Sequence, residues 1–167
     1  DFCPICTLPI PFPMDSNSGF MVCCMKRICN GCNIAAEKRG MDGCPFCRTP
    51  RPHVSQAHAM SQKRVDAGDP VAIYHHGHVY RSGHYGLKKD ATRAVELYER
   101  AAELDVKEAH YFLGLLYYEG TDVGKDTAKG IRHYETAAVR GHVSARFNLG
   151  HLEYDARNYD LALQHWM

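Results

Sequence analysis

After Cys47 the chain has no cysteine: residues 48 to 167, 120 positions, carry no thiol. It also lacks an excess of either charge. The 20 Lys and Arg against 19 Asp and Glu leave a net of +1, with residues 1–52 at +2 and the remainder at −1. Neither part has the basic surplus that phosphate contacts to nucleic acid require. No apolar run approaches the ~20 residues that span a bilayer, so no membrane partner is expected. No apolar secretory signal precedes the first cysteine.

What is present is concentrated. All eight cysteines lie between positions 3 and 47, as Cys3-x2-Cys6, Cys23-Cys24, Cys29-x2-Cys32 and Cys44-x2-Cys47. A C-x2-C pair lets two thiolates reach one ion across a tight turn, and eight thiolates suffice for two tetrahedral, all-sulfur zinc sites. Closed sites of this kind are structural and hold no catalytic water, so metal-assisted hydrolysis is not expected. The alternative for an even number of cysteines in a short segment is a disulfide framework. Spacing and context favour zinc, and thiols held by zinc fit a reducing, intracellular compartment, cytoplasm or nucleus. Residues 1–52 bury too little to fold unaided, which makes metal binding a source of folding free energy.

In the order of its pairs, and in closing on Cys44-Pro45-Phe46-Cys47-Arg48, the stretch 2–52 resembles a RING finger. The resemblance implies that pairs one and three share one zinc ion (Cys3, Cys6, Cys29, Cys32). Pairs two and four would share the other (Cys23, Cys24, Cys44, Cys47). It also implies a RING-type ubiquitin-protein ligase that docks a ubiquitin-conjugating enzyme loaded with ubiquitin. Ile5 and Pro45 match apolar positions that contact that enzyme. Arg48 matches the position whose cation bonds both enzyme and ubiquitin, a task suited to the planar guanidinium fork. With every thiol on zinc, none remains to accept ubiquitin. The implied mechanism is therefore orientation of the loaded enzyme, with no catalytic residue of the chain's own.

Three departures stand out. No histidine precedes His53, so this is an all-cysteine variant. The second pair is adjacent, and neighbouring side chains of a strand face opposite ways, so Cys23 and Cys24 are expected in a bulge or turn. Ala36 stands where many ligase RINGs carry a tryptophan, which predicts a smaller docking surface. The alternative reading is a non-catalytic, zinc-binding protein-protein interaction scaffold. Within this block, Leu8–Pro13 reads as a stiff surface loop. Ile34–Arg39 reads as a short helix stopped by Gly40.

Thr49-Pro50-Arg51-Pro52 blocks helix continuation. The expected organisation is a RING-type zinc finger at 1–52, a linker and leading helix at 53–67, and helical repeats at 68–167. In the last part Gly77, Gly114 and Gly150, and likewise Ala72, Ala109 and Ala145, recur at 37 and then 36 residues; Tyr98 and Tyr134 are 36 apart, as are Ala101 and Ala137. A self-match at this period predicts helix pairs: 70–82 with 90–104, 107–119 with 126–140, and 143–155 with 158–167. Ala and Gly fall where helices approach closely. Tyr80, Tyr98, Tyr117, Tyr134 and Trp166 fill between layers, as core rather than as a ligand cage.

The stretches Ala109–Gly120 and Lys129–Ala138 resemble Sel1-like repeats, a tetratricopeptide-type family, and the resemblance extends over 68–167. It implies a small zinc-stabilised RING module followed by an all-α helical-repeat solenoid that holds a protein substrate or partner. The third copy departs: Glu153 replaces a tyrosine, Ala156 replaces a glycine, and the loop between its helices is shorter. It is truncated within its last helix and has no polar cap, which predicts a longer natural protein. His75 and His78 stand one helical turn apart. Without a third ligand nearby they read as a packed or solvated helix face.

Overall fold

The computed structural model describes residues 2–11 and 14–167, so Phe12 and Pro13 of the expected stiff loop lie outside the described residues. The chain divides into two compact units, Asp1–Ala67 and Gly68–Met167.

The first unit runs α1 (Met14–Asn17), β1 (Ser18–Met21), β2 (Lys26–Cys29), α2 (Asn30–Lys38) and α3 (Val54–Asp66). The strands pair antiparallel, with Ser18 opposite Cys29 and Met21 opposite Lys26. Between them lies the turn that adjacent cysteines require. Cys24 donates its N–H to the Met21 carbonyl at 3.1 Å, and Met25 takes a left-handed φ of +54°. α2 starts four residues before the predicted Ile34 because Cys29 caps it, its Sγ accepting from the Cys32 N–H. It stops ahead of Gly40, whose φ is +73°. Cys3, Ile10 and Ile28 form the buried centre of the unit. Residues 53–67, expected as a linker and leading helix, fall in this unit. Ala57, Ser61 and Val65, four apart on one face of α3, are buried. Arg64 on α3 donates from Nε to the Cys23 carbonyl at 3.1 Å.

The second unit is helical: α4 (Pro70–Ser82), α5 (Ala91–Glu103), α6 (Lys107–Glu119), α7 (Thr127–Val139), α8 (Val143–Asp155) and α9 (Tyr159–Trp166). Each helix packs on the next in sequence. The starts are set by side-chain caps. Asp69 accepts from the Val71 and Ala72 amides, with Pro70 in the first turn. Asp90 and Asp126, one period apart, accept from the Arg93 and Lys129 amides at 2.9 Å.

The repeat is a small-to-large interlock. A Cβ on Gly77 would stand 2.7 Å from the Tyr98 ring, and one on Gly114 2.5 Å from the Tyr134 ring. Gly150 faces Trp166 in the same way, so tryptophan fills the tyrosine place of the third pair. Tyr98 is buried among Ala94, Leu113 and Leu116, and Tyr134 among Ala137, Ala145 and Leu149. Tyr80 and Tyr117 pack at the edge of the first cluster. His75 lies against Tyr85, and His78 lies against His84 and Phe112, so these rings belong to a packed aromatic face. Among the described residues, no helix is long and apolar enough to cross a membrane.

One cap titrates. His142 begins α8, its Nδ1 accepting from the Ala145 N–H at 3.2 Å, and its ring stacks on Tyr111 with centroids 4.4 Å apart. Burial, then the nearby Lys107, lowers its pKa from the ordinary 6.5 to about 4. Accepting at Nδ1 requires the neutral ring. The folded state therefore resists protonation. The stability this group contributes is complete above pH 6.5 and falls as pH drops toward 4. We expect a loss of roughly 1–2 kcal/mol across that window, less than the full shift implies because the ring is partly solvated. Urea unfolding of the parent and of His142→Asn, a cap that does not titrate, should diverge across the window. Parallel curves would show that this ring does not set the acid sensitivity.

Candidate metal centre

Two turns of the same construction open and close the cysteine block. In the first, Cys3 donates its N–H to the Leu8 carbonyl at 2.9 Å, Thr7 donates to the Cys3 carbonyl at 2.8 Å, and Phe2 bridges Pro9. In the second, Cys44 donates to the Thr49 carbonyl at 2.8 Å, Arg48 donates to the Cys44 carbonyl at 2.9 Å, and Gly43 bridges Pro50. Thr7 and Arg48, each just after its pair, hold left-handed φ values of +59° and +61°. These bonds turn both thiols of a pair to one side. Gly43 allows the second turn to close, since a Cβ there would meet the Arg48 carbonyl oxygen at 2.9 Å.

The β1–β2 hairpin then distributes the sulfurs. Its turn carries Cys23 and Cys24, while Cys29 at the end of β2 and Cys32 on α2 lie a strand length away, about 10 Å at 3.3 Å per residue. As a result the pairs interleave. The Sγ atoms of Cys3, Cys6, Cys29 and Cys32 lie within 4.8 Å of one another, and so do those of Cys23, Cys24, Cys44 and Cys47.

These two clusters can hold metal ions. Zn–S bonds of about 2.3 Å in a tetrahedron put sulfurs about 3.8 Å apart. Cys6 and Cys29 are separated by 3.8 Å, Cys24 and Cys44 by 3.6 Å, and Cys23 and Cys47 by 3.4 Å. All are far beyond the ~2.05 Å of a disulfide. Electrostatics agrees with the geometry. Burial raises the Cys3 pKa, but backbone bonds from Cys29, Cys6 and Ile5 outweigh it and bring the thiol to about 6. Cys32 is pushed up to about 12, by desolvation and then by the thiols around it. In the second cluster the Thr49 side chain and backbone draw Cys47 down to about 6, while burial and neighbouring thiols push Cys23 and Cys24 up. In each cluster one thiol is drawn toward its thiolate form while Cys32, or Cys23 and Cys24, resist it, a penalty that a divalent cation removes.

The other expected site residues are distributed over the two turns. Ile5 is 48% exposed in the first; Pro45 is half-buried and Arg48 exposed in the second. Ala36 is buried, at 7% exposure, and Ile34, two residues earlier and 49% exposed, is a larger apolar side chain that α2 presents.

The repeat unit holds a site the sequence reading passed over. A cleft of 470 Å³ between α5, α6 and α7 is lined by His110 and His133 together with Glu99, Glu103, Leu113 and Lys129. The signal for it was a departure from the repeat at two coupled positions.

Comparison with known proteins speaks to the repeats. The Sel1 repeat family model matches residues 70–106 and 107–142, so these two stretches are Sel1 repeats. A solved Sel1 repeat protein from Oxalobacter formigenes aligns with a TM-score of 0.61 and 30% identity, over 66% of this chain and 47% of that one. The protective antigen c5321 of uropathogenic Escherichia coli, described as displaying an SLR fold, aligns with a TM-score of 0.57 and 27% identity, over 68% of this chain and 26% of that one. An uncharacterized protein of Neisseria meningitidis serogroup B is 37% identical over 68 residues, 41% of this chain. The match spans only 15% of that curated relative.

Proposed function

We propose that this chain, built on Sel1 repeats, is a zinc-binding protein-protein interaction scaffold. Two structural zinc ions sit at Cys3, Cys6, Cys29, Cys32 and at Cys23, Cys24, Cys44, Cys47, within a RING-type module over residues 1–52. A protein partner binds the repeats, in a reducing intracellular compartment. One observation carries the reading: all eight thiols fall into two closed four-sulfur sets. That leaves neither a free cysteine nucleophile nor an open metal position, and the remaining surface is a helical-repeat array of the kind that binds proteins.

A second reading, a RING-type ubiquitin ligase, is supported by the exposure of Ile5 and Arg48 on turns held by the sulfur sets. There the module docks a ubiquitin-conjugating enzyme through Ile5 and Pro45. Arg48 stabilises the loaded state without forming a covalent bond.

The two readings part in one experiment. Conjugating enzymes charged with ubiquitin are timed as they discharge to free lysine, with the parent and with Arg48→Ala, zinc content being measured in both. The scaffold reading expects no acceleration by a protein holding two zinc ions. Acceleration by the parent, lost in Arg48→Ala, would replace it with the ligase. Acceleration by both would also establish the ligase and remove Arg48 from its mechanism.

A further inference from the structure

The interlock of glycine and aromatic ring fixes a common register for the helix pairs. In the first pair, the residue four before Gly77 is Ile73 and the residue before Tyr98 is Leu97, both buried. The same register puts His110 and His133 at these places in the second pair, four before Gly114 and one before Tyr134. Two imidazoles thus replace two core side chains at matched positions. They do not point apart: their Nδ1 atoms face each other at 3.1 Å. Tyr117 lies parallel to the His133 ring at an interplanar angle of 8°. Both rings are therefore held in place, on the wall of an open cleft.

We propose that His110 and His133 form a binding site for a divalent d-block cation, with Glu103 as the third ligand. Two nitrogens bound to one tetrahedral ion at ~2.0–2.1 Å stand about 3.3–3.4 Å apart, so the pair needs to open by only a few tenths of an ångström. Of the two carboxylates in the cleft, Glu99 is engaged, accepting from the Tyr117 hydroxyl at 3.0 Å and from Lys129 at 3.5 Å. Glu103 is exposed at the last turn of α5 and lines the same cleft. It is the group that swings in on binding. Of the cations nearby, Lys129 is paired with Glu99 and Arg140 with Asp105, while Arg132 lines the adjoining cleft. A fourth position stays open to solvent, unlike the closed sulfur sets.

The test uses the full chain with its cysteine clusters loaded, dialysed to remove loosely held metal, then titrated with zinc chloride. Calorimetry should record one further ion per chain with micromolar affinity, and the ring signals of His110 and His133 should move in NMR spectra. His110→Ala and His133→Ala should each weaken that event at least about tenfold while the tightly held zinc is unchanged. Glu103→Gln, an exposed substitution that leaves packing alone, should weaken it about tenfold. Uptake identical in the parent and all three variants overturns the site, as does an added ion that moves other histidines only. Every variant keeps all eight cysteines, so failure here is separable from failure of the cysteine clusters to hold zinc.

Discussion

With zinc in the two sulfur sets, as proposed, stripping it from the chain should unfold the first unit through Ala67 and leave the helices from α4 onward in place. The first unit has a small buried centre, and two of its contributors, Cys3 and Cys44, are themselves in the sulfur sets. A unit of this size has little hydrophobic free energy to spare. Structural zinc supplies on the order of 10–16 kcal/mol, which is folding free energy here because the site does not exist in the unfolded chain. α3 should be lost with the hairpin, since its Arg64 holds the Cys23 carbonyl beside the second sulfur set. A strong chelator, followed by circular dichroism and amide NMR, reads both units at once. Loss of amide dispersion for residues 2–67 with the α4–α9 signals unmoved is the expected result. Collapse of both units together would mean that the repeats depend on the metal. A metal-free first unit that stays folded would show that zinc is not what holds it. Cys29→Ser should release one ion and reproduce much of the effect.

The second large effect is expected at Tyr98. Its side chain has 0% exposure, sits on Gly77 and contacts the cluster of Ala94, Leu113 and Leu116. Phe112 stacks on it with centroids 5.5 Å apart. Tyr98→Ala opens a cavity where α4, α5 and α6 meet and should cost ~3–5 kcal/mol. That is a large share of the 5–15 kcal/mol available to a whole domain. Tyr98→Phe should behave in the opposite way. Its hydroxyl is buried, with no hydrogen-bond partner among the described residues, and burial pushes its pKa up. Removing an unsatisfied hydroxyl should leave stability unchanged or raise it by about 1 kcal/mol. Urea unfolding monitored through the helical signal decides both. A Phe variant much weaker than the parent would mean that the hydroxyl has a partner, a bridging water for example.

The parts legible in the sequence were those in which one residue type constrains another. Glycine at 77 and 114 and tyrosine at 98 and 134 recur together because each ring occupies the space its glycine leaves, so the period and the packing are one fact. Cysteines separated by two residues announce a turn that brings two thiols together, and the adjacent Cys23 and Cys24 called for a bulge or a turn; they lie in the turn between β1 and β2. What could not be read depends on contacts between distant residues. That α3 joins the first unit rests on Arg64 meeting a carbonyl 41 residues earlier. The burial of Ala36 likewise follows from how α2 lies on the hairpin. The histidine pair of the second repeat has no local spacing to mark it, unlike His75 and His78, one helical turn apart. His110 and His133 become neighbours only through helix packing.

The order of helix contacts has a further consequence. Each of α4 to α9 packs chiefly on its neighbours in sequence, with single side chains reaching the next but one, as Phe112 of α6 reaches Tyr74 and His78 of α4. Damage in such an array stays local: an injury at one link weakens the next and fades beyond it. Opening costs least at a link with a single neighbour. α9 packs on α8 and leaves Leu163 and Trp166 half in water. Amide exchange should therefore run as a gradient, fastest at α9 and slowest around α5 and α6, so that the array peels like a zip and does not shatter like a globule.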